Sequence, residues 1–97
     1  MTVTKKVTIR NKSGLHARPA ALFVQIANKF DCEIAVTKGR HEVNGKSIMG
    51  ILMLAASKGQ TVIISANGDD AEQAVKELSE MLLSDADYEL GNRIKGK

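Results

Sequence analysis

The residues best suited to chemistry lie in one stretch, Ser13 to Ala21, which reads SGLHARPAA. Pro19 suits the first turn of a helix because its φ is fixed and it has no N–H to lose. The spacing therefore predicts His16 at or just before a helix start, where backbone N–H groups have no intrahelical partner. The first amides from Ala17 onwards, the positive end of the helix dipole and the Arg18 guanidinium together form a site for an anion.

A histidine in such a site can accept a phosphoryl group. The helix start and Arg18 both disfavour the imidazolium form, so His16 is available as a neutral nucleophile. The same groups stabilise the anionic product, and no general base is needed because the attacking nitrogen carries no proton. No neighbour in sequence positions a water for hydrolysis. A surface loop with an incidental histidine is the other interpretation that these local features allow.

Seven predicted elements position this stretch. Alternating residues predict strands, and apolar residues at i, i+3, i+4 and i+7 predict helices. Residues 67–70 are interpreted as a turn followed by a helix cap. The predicted order is Val3–Ile9 (strand), 17–29 (helix), Glu33–Lys38 (strand), His41–Val43 (strand), 47–56 (short helix), Thr61–Ala66 (strand) and Ala71–Leu83 (helix). This α+β pattern buries its apolar faces if the helices cover one face of an antiparallel sheet.

Composition limits the classes of protein that remain. The chain has 97 residues, 43% hydrophobic and 26% charged, which is typical of one globular domain with a mainly aliphatic core. A net charge of +3 is too small to indicate nucleic-acid binding. The single Cys32 excludes an internal disulfide and suits a reducing cytosol. Because no signal region or membrane-length apolar run occurs, we expect a cytoplasmic protein.

The segment 47–56 is short and rich in methionine. Ser47 is a good N-cap for a helix there. Its apolar neighbours could all be core residues, but a short helix cannot bury every side, and exposed methionine suits adaptable recognition. The side chains in question are Ile48, Met49, Leu52 and Met53.

A metal site is the weaker alternative for the histidine. His16 could join His41 and Cys32 as zinc ligands, but their spacings fit no compact ligand set, so no metal is predicted. We expect His41 on a half-exposed strand and Cys32 as a small buried or half-buried residue.

Two motifs together resemble one known family. Gly14–Ala20 is similar to the active-site signature of HPr, the histidine-containing phosphocarrier of the bacterial phosphoenolpyruvate–sugar phosphotransferase system. Lys46–Gly50 resembles the regulatory serine segment of that family. The resemblance covers about residues 3–84 and implies an open-faced β-sandwich, with a four-stranded antiparallel sheet and three helices on one side.

The resemblance implies a role for individual residues. His16 matches the phosphoryl acceptor, through its Nδ1 atom, and Arg18 matches the residue that supports the phosphoryl group. Ser47 matches the target of HPr kinase/phosphorylase. The exposed patch that the family presents to partners is matched by Ile48, Met49 and Leu52.

The family also implies partners and a role. The protein would be a cofactor-free carrier, not an enzyme, that takes phosphate from Enzyme I and passes it to enzyme IIA proteins for sugar uptake. A nitrogen-related variant of this pathway stays open. So does a regulatory module of the same fold, which would act through contacts with kinases or transcription factors. We expect a monomer that binds neither nucleic acid nor membrane.

The end of the chain departs from the family. Residues 1–84 form the expected domain, and 85–97 add a polar tail for which we expect disorder. The acidic residues of this tail come first and its basic residues follow: Asp85, Asp87, Glu89, Arg93, Lys95 and Lys97.

Overall fold

The computed structural model describes residues 1–10, 14–15 and 17–83. In chain order these form strand, helix, strand, strand, helix, strand and helix, as predicted. The strands are β1 (Thr2–Thr8), β2 (Glu33–Lys38), β3 (His41–Asn44) and β4 (Thr61–Asn67). The helices are α1 (Ala17–Ala27), α2 (Ile48–Leu54) and α3 (Ala71–Leu83).

The four strands form an antiparallel sheet in the order β1-β4-β2-β3. β4 lies between β1 and β2, with Val62 opposite Val7 and Ile64 opposite Val36. β3 pairs with β2 at one edge, where Val43 lies opposite Val36, and β1 forms the other edge. Because side chains alternate along each strand, this register places the valines and Ile64 on one common face.

All three helices lie against that face. α3 packs on β1 and β4, α2 packs on β2 and β3, and α1 packs against both other helices. The predicted apolar stripes are buried, including Phe23 on α1 and Leu78 on α3. The opposite face of the sheet is open and carries hydroxyl and amide side chains such as Thr4, Ser65 and Asn44. The predicted open-faced sandwich is therefore confirmed.

The predicted bounds hold best where turns flank an element. β2 and α3 match exactly, but α1 ends at Ala27 rather than residue 29. Beyond Ala27 the hydrogen bonds shorten to three-residue spacing, with the Phe30 N–H donating to the Ala27 carbonyl at 3.2 Å. α2 ends at Leu54 rather than residue 56 because Ala55 adopts the left-handed conformation, with φ of 51°.

The core is aliphatic, as the composition predicts. Its largest fully buried side chains include Phe23, Ile9, Leu15 and Ile51. Ser79 on α3 is also buried, and its hydroxyl has no hydrogen-bond partner among the residues that the structure describes. Among the described helices, none has the length and apolar character needed to cross a bilayer.

Candidate functional site

Position 16 lies outside the described residues, as do 11–13, but its neighbours in sequence are well defined. Leu15 is buried, and its N–H donates to the Ala56 carbonyl at 2.8 Å. Gly14 has φ of 68°, and a Cβ there would lie 2.7 Å from the same carbonyl oxygen. Only glycine fits both the conformation and the space. The chain entering the predicted site is thus held against the connection between α2 and β4.

α1 begins at Ala17, directly after His16, as the sequence predicts. Ala17 and Arg18 are exposed, whereas Pro19 and Ala20 are buried and hold the first turn against the core. The first turn contains no acidic side chain, and its first N–H groups have no partner within the helix. An incoming anion would therefore meet these amides and a guanidinium at the surface.

Ser47 is the N-cap of α2, as predicted. Its backbone is extended, with φ of −108° and ψ of 118°, and its Oγ accepts the Gly50 N–H at 3.0 Å. Gly50 sits close to β3, because a Cβ there would lie 3.2 Å from the Cβ of Val43. The hydroxyl of Ser47 is half-buried and uses an oxygen lone pair for the cap, so its proton is not consumed by that hydrogen bond.

The outer side of α2 is an exposed apolar patch. Its exposed fractions are 43% for Ile48, 63% for Met49, 36% for Leu52 and 75% for Met53. Ile51 and Leu54 face inward and are buried, so the seven-residue helix has no room to bury the others. We call these four exposed residues the α2 patch. Met53 was not among the predicted docking residues, although its spacing of four from Met49 places both on one side.

The two ends of α2 lie at different distances from the start of α1. Ala56, two residues beyond the helix, accepts the Leu15 N–H, which brings the C-terminal end of α2 beside the start of α1. Ser47 lies at the opposite end, roughly 10 Å away along a helix of this length. The α2 patch occupies the helix between them.

The structure also places Cys32 and His41, which were considered as zinc ligands together with His16. Cys32 is buried before β2, and burial followed by its hydrogen bond to Asp70 raises the pKa of its thiol. His41 is exposed on β3 and pairs with Lys38 at the other end of β2. A six-residue strand separates them by roughly 20 Å, so they do not share a site. Within the described part of the chain, no group of three His, Cys, Asp or Glu residues could hold a metal ion.

A comparison with known proteins matches the same part of the chain as the resemblance found in the sequence. The family model described as "PTS HPr component phosphorylation site" matches residues 3–84. The HPr-like protein Crh of Bacillus subtilis is 48% identical over 77 residues, which cover 79% of this chain and 91% of Crh.

Solved structures agree with the fold. The crystal structure of phosphocarrier protein HPr from Bacillus anthracis has a TM-score of 0.82 and 47% identity, covering 84% of this chain and 96% of its own. Bacillus subtilis Crh, solved as a swapped-domain dimer, has a TM-score of 0.70 and 44% identity, covering 87% of this chain and 97% of its own. The chain therefore belongs to the HPr family, the phosphocarrier proteins of the phosphotransferase system.

Proposed function

We propose that this protein carries phosphate on Nδ1 of His16, taking it from phosphorylated Enzyme I and passing it to enzyme IIA proteins for sugar uptake in the cytoplasm. The observation that carries the proposal is the start of α1 at Ala17, directly after the histidine of a motif that the family model spans. The exposed Arg18 beside it suits an anionic adduct.

The transfer needs little from the carrier itself. The neutral Nδ1 atom attacks phosphorus with its lone pair, the N–P bond of the donor breaks, and the electron pair returns to the donor imidazole. The first amides of α1, from Ala17 onwards, and the Arg18 guanidinium stabilise the charge on the phosphoryl oxygens. The absence of acidic residues in the first turn of α1 supports this role.

The α2 patch serves as the docking surface in this proposal. Ile48, Met49 and Leu52 are exposed on the helix whose C-terminal end lies against the chain that leads to position 16, and Met53 extends the same surface. A carrier must release each partner quickly, so we expect a small and transient interface. The domain that docks is residues 1–84, acting as a monomer, with 85–97 as an appended tail. A concentration-independent sedimentation coefficient would support the monomer, whereas a dimer like that of Crh would contradict it.

Ser47 adds regulation to the proposal. Its hydroxyl lies at the start of the helix that carries the patch, where HPr kinase/phosphorylase could modify it. A phosphate there carries about −1.5 to −2 charges into an apolar docking surface. A transcriptional regulator with a basic pocket would then prefer the phosphoserine form that Enzyme I disfavours.

A purely regulatory binding module is the second candidate. The 48% identity with the HPr-like protein Crh favours this second candidate. The exposed α2 patch is compatible with either function. A histidine that can be phosphorylated favours the carrier, because a module that acts through contacts alone has no need of it.

Phosphoryl transfer from Enzyme I and phosphoenolpyruvate tests the proposal. The unaltered protein should gain one acid-labile phosphate, which peptide mapping should place on His16. His16→Ala should fold normally and gain none. His41→Ala is the matched control, because His41 is exposed and lies on an edge strand, and it should be labelled at the normal rate.

Two results would decide against the carrier. Labelling that survives in His16→Ala would move the acceptor elsewhere. An unaltered protein that binds Enzyme I but gains no phosphate would favour the regulatory module.

A further inference from the structure

A basic depression opens at the edge of the sheet where β1 and α3 both end. It has a volume of about 700 Å³ and is lined by residues 6–10, by Lys58 and Gly59, and by Leu83. Backbone hydrogen bonds fix its walls. The Gly59 N–H donates to the Ile9 carbonyl at 2.9 Å, and the Arg10 N–H donates to the Leu82 carbonyl at 2.9 Å. These hydrogen bonds connect the three segments that line the depression.

The charged side chains that the described residues contribute to this depression all have one sign. Lys6, Arg10 and Lys58 are its cations, and no described acidic residue lines it. Neither Lys6 nor Lys58 has a carboxylate partner among the described residues. Apolar surface accompanies the charge, because Leu83 is 41% exposed at its rim. Such a surface suits an acidic segment that also carries an apolar or aromatic side chain.

The chain supplies such a segment at this point. Leu83 is the last residue of α3 and lines the depression, and Asp85, Asp87, Tyr88 and Glu89 follow within six positions. Six extended residues reach at most about 20 Å, enough to cross the depression but not the whole molecule. We propose that the acidic segment 85–89 binds intramolecularly over the depression lined by Lys6, Arg10 and Lys58.

Attachment favours this occupant over a separate partner. A short tether gives the segment an effective concentration in the millimolar range, so weak charge pairing is sufficient to populate the bound form. Among the described strands, none pairs with the outer side of β1, because β1 lies at the edge of the sheet. The depression has one competitor for the acidic segment, which is the basic end of the same tail. Those basic residues begin at Arg93, four positions after Glu89.

Carbodiimide coupling of the full chain tests the proposal. The reagent joins a lysine Nζ to a nearby carboxylate as an amide, and the lost water converts the carbodiimide to its urea. At micromolar protein and low salt, the monomer band should contain links from Lys6 or Lys58 to Asp85, Asp87 or Glu89. Raising the ionic strength to about 0.5 M should reduce their yield at least roughly threefold, because exposed charges are screened.

Two variants sharpen the result. The double variant Lys6→Gln with Lys58→Gln should lose these links and also shift the backbone amide resonances of residues 85–89. Lys5→Gln is the matched control, because Lys5 neighbours Lys6 but is not among the residues that line the depression, and it should change neither readout. Links confined to Lys95 and Lys97, or found only in a dimer band, would overturn the proposal. So would amide resonances of 85–89 that ignore the double variant.

Discussion

At the scale of single residues, the proposed site uses very few groups, so each contributes a separable property. Gly14 permits the close approach to Ala56, and Leu15 anchors the chain through its buried side chain and its 2.8 Å hydrogen bond. These two residues fix the position of the backbone that leads to position 16. Arg18 is exposed in the first turn of α1 and serves the charge.

Replacing Arg18 should therefore affect transfer more than folding. A hydrogen bond to a charged group contributes about 1.5–3 kcal/mol, so Arg18→Ala should slow phosphoryl transfer roughly 10- to 100-fold. Because the side chain is exposed, the melting temperature should change little. Quench-flow transfer from phosphorylated Enzyme I, with calorimetry on the same samples, measures both.

Arg40→Ala is the control for that experiment. Arg40 is an exposed arginine in the turn between β2 and β3 and belongs to no helix, so its loss should leave the transfer rate unchanged. If Arg18→Ala matches the unaltered protein in both directions of transfer, the guanidinium does not support the phosphoryl group.

At the scale of elements, α2 is where local structure and recognition meet. Seven residues make about two turns, so only Ile51 and Leu54 reach the core and the remaining large side chains stay exposed. The Ser47 cap and the left-handed Ala55 define its two ends. A short helix with defined ends presents the α2 patch in a fixed orientation.

A charge placed in the α2 patch should weaken docking without unfolding the domain. Met49 is 63% exposed, so Met49→Glu adds a carboxylate at the surface that must be desolvated when Enzyme I binds. We expect affinity to fall roughly tenfold, about 1.4 kcal/mol, with an unchanged circular dichroism spectrum. Titration calorimetry measures the affinity.

Ile63→Glu provides the comparison, since Ile63 is 37% exposed on the open face of the sheet. It should bind Enzyme I normally. Equal binding by Met49→Glu and the unaltered protein, with the fold intact, would remove the α2 patch from the docking surface.

Phosphorylation of Ser47 should act through the same helix. The fold should persist, because Ser47 is only half-buried and its Gly50 hydrogen bond can pass to a phosphate oxygen. Transfer from Enzyme I at sub-saturating concentration should slow roughly tenfold, since a dianionic group near the α2 patch opposes apolar docking. Protein made with phosphoserine at position 47 is the decisive sample, with Ser47→Asp as an imperfect mimic.

Phosphoserine at position 65 controls for charge alone. Ser65 is half-buried on the open face of the sheet, and its modification should leave transfer unchanged. Phosphoserine-47 protein that accepts phosphate as fast as unmodified protein would remove the regulatory role.

At the scale of the whole molecule, patterns that repeat within one element were predictable from the sequence. β2 was predicted at its exact bounds, because the buried Ile34 and Val36 alternate with less buried neighbours and Gly39 follows in a turn. Ser47 was predicted as a cap from its type and position. The sequence did not decide whether the apolar residues on the outer side of α2 are core residues or an exposed patch, because their exposure depends on what the other helices cover.

Contacts between distant parts of the chain were not predictable. Residues 67–70 were interpreted as a local turn and cap, and Asp70 does lie directly before α3. Its carboxylate, however, accepts the Asp31 N–H at 2.9 Å and the Cys32 N–H at 3.0 Å, 39 and 38 residues away. The basic depression was missed for the same reason, because only the fold brings Lys58 to the segment that carries Lys6 and Arg10.

The Asp70 contact ties the start of α3 to the segment before β2, so it should make stability depend on pH. The Asp31 N–H, and then the Cys32 groups, hold the pKa of the Asp70 carboxyl below its ordinary value of 3.8. A group whose pKa is lower in the folded state stabilises the fold above its unfolded pKa and loses that effect as pH falls through the folded value. Asp70→Asn should therefore lower the free energy of unfolding at neutral pH, and its difference from the unaltered protein should shrink below about pH 4. Urea unfolding from pH 7 to pH 2.5 measures this difference, with Asp69→Asn as the control because Asp69 is exposed and adjacent. If the Asp70→Asn difference stays constant across that range, or if Asp69→Asn reproduces it, the carboxylate charge does not stabilise this junction.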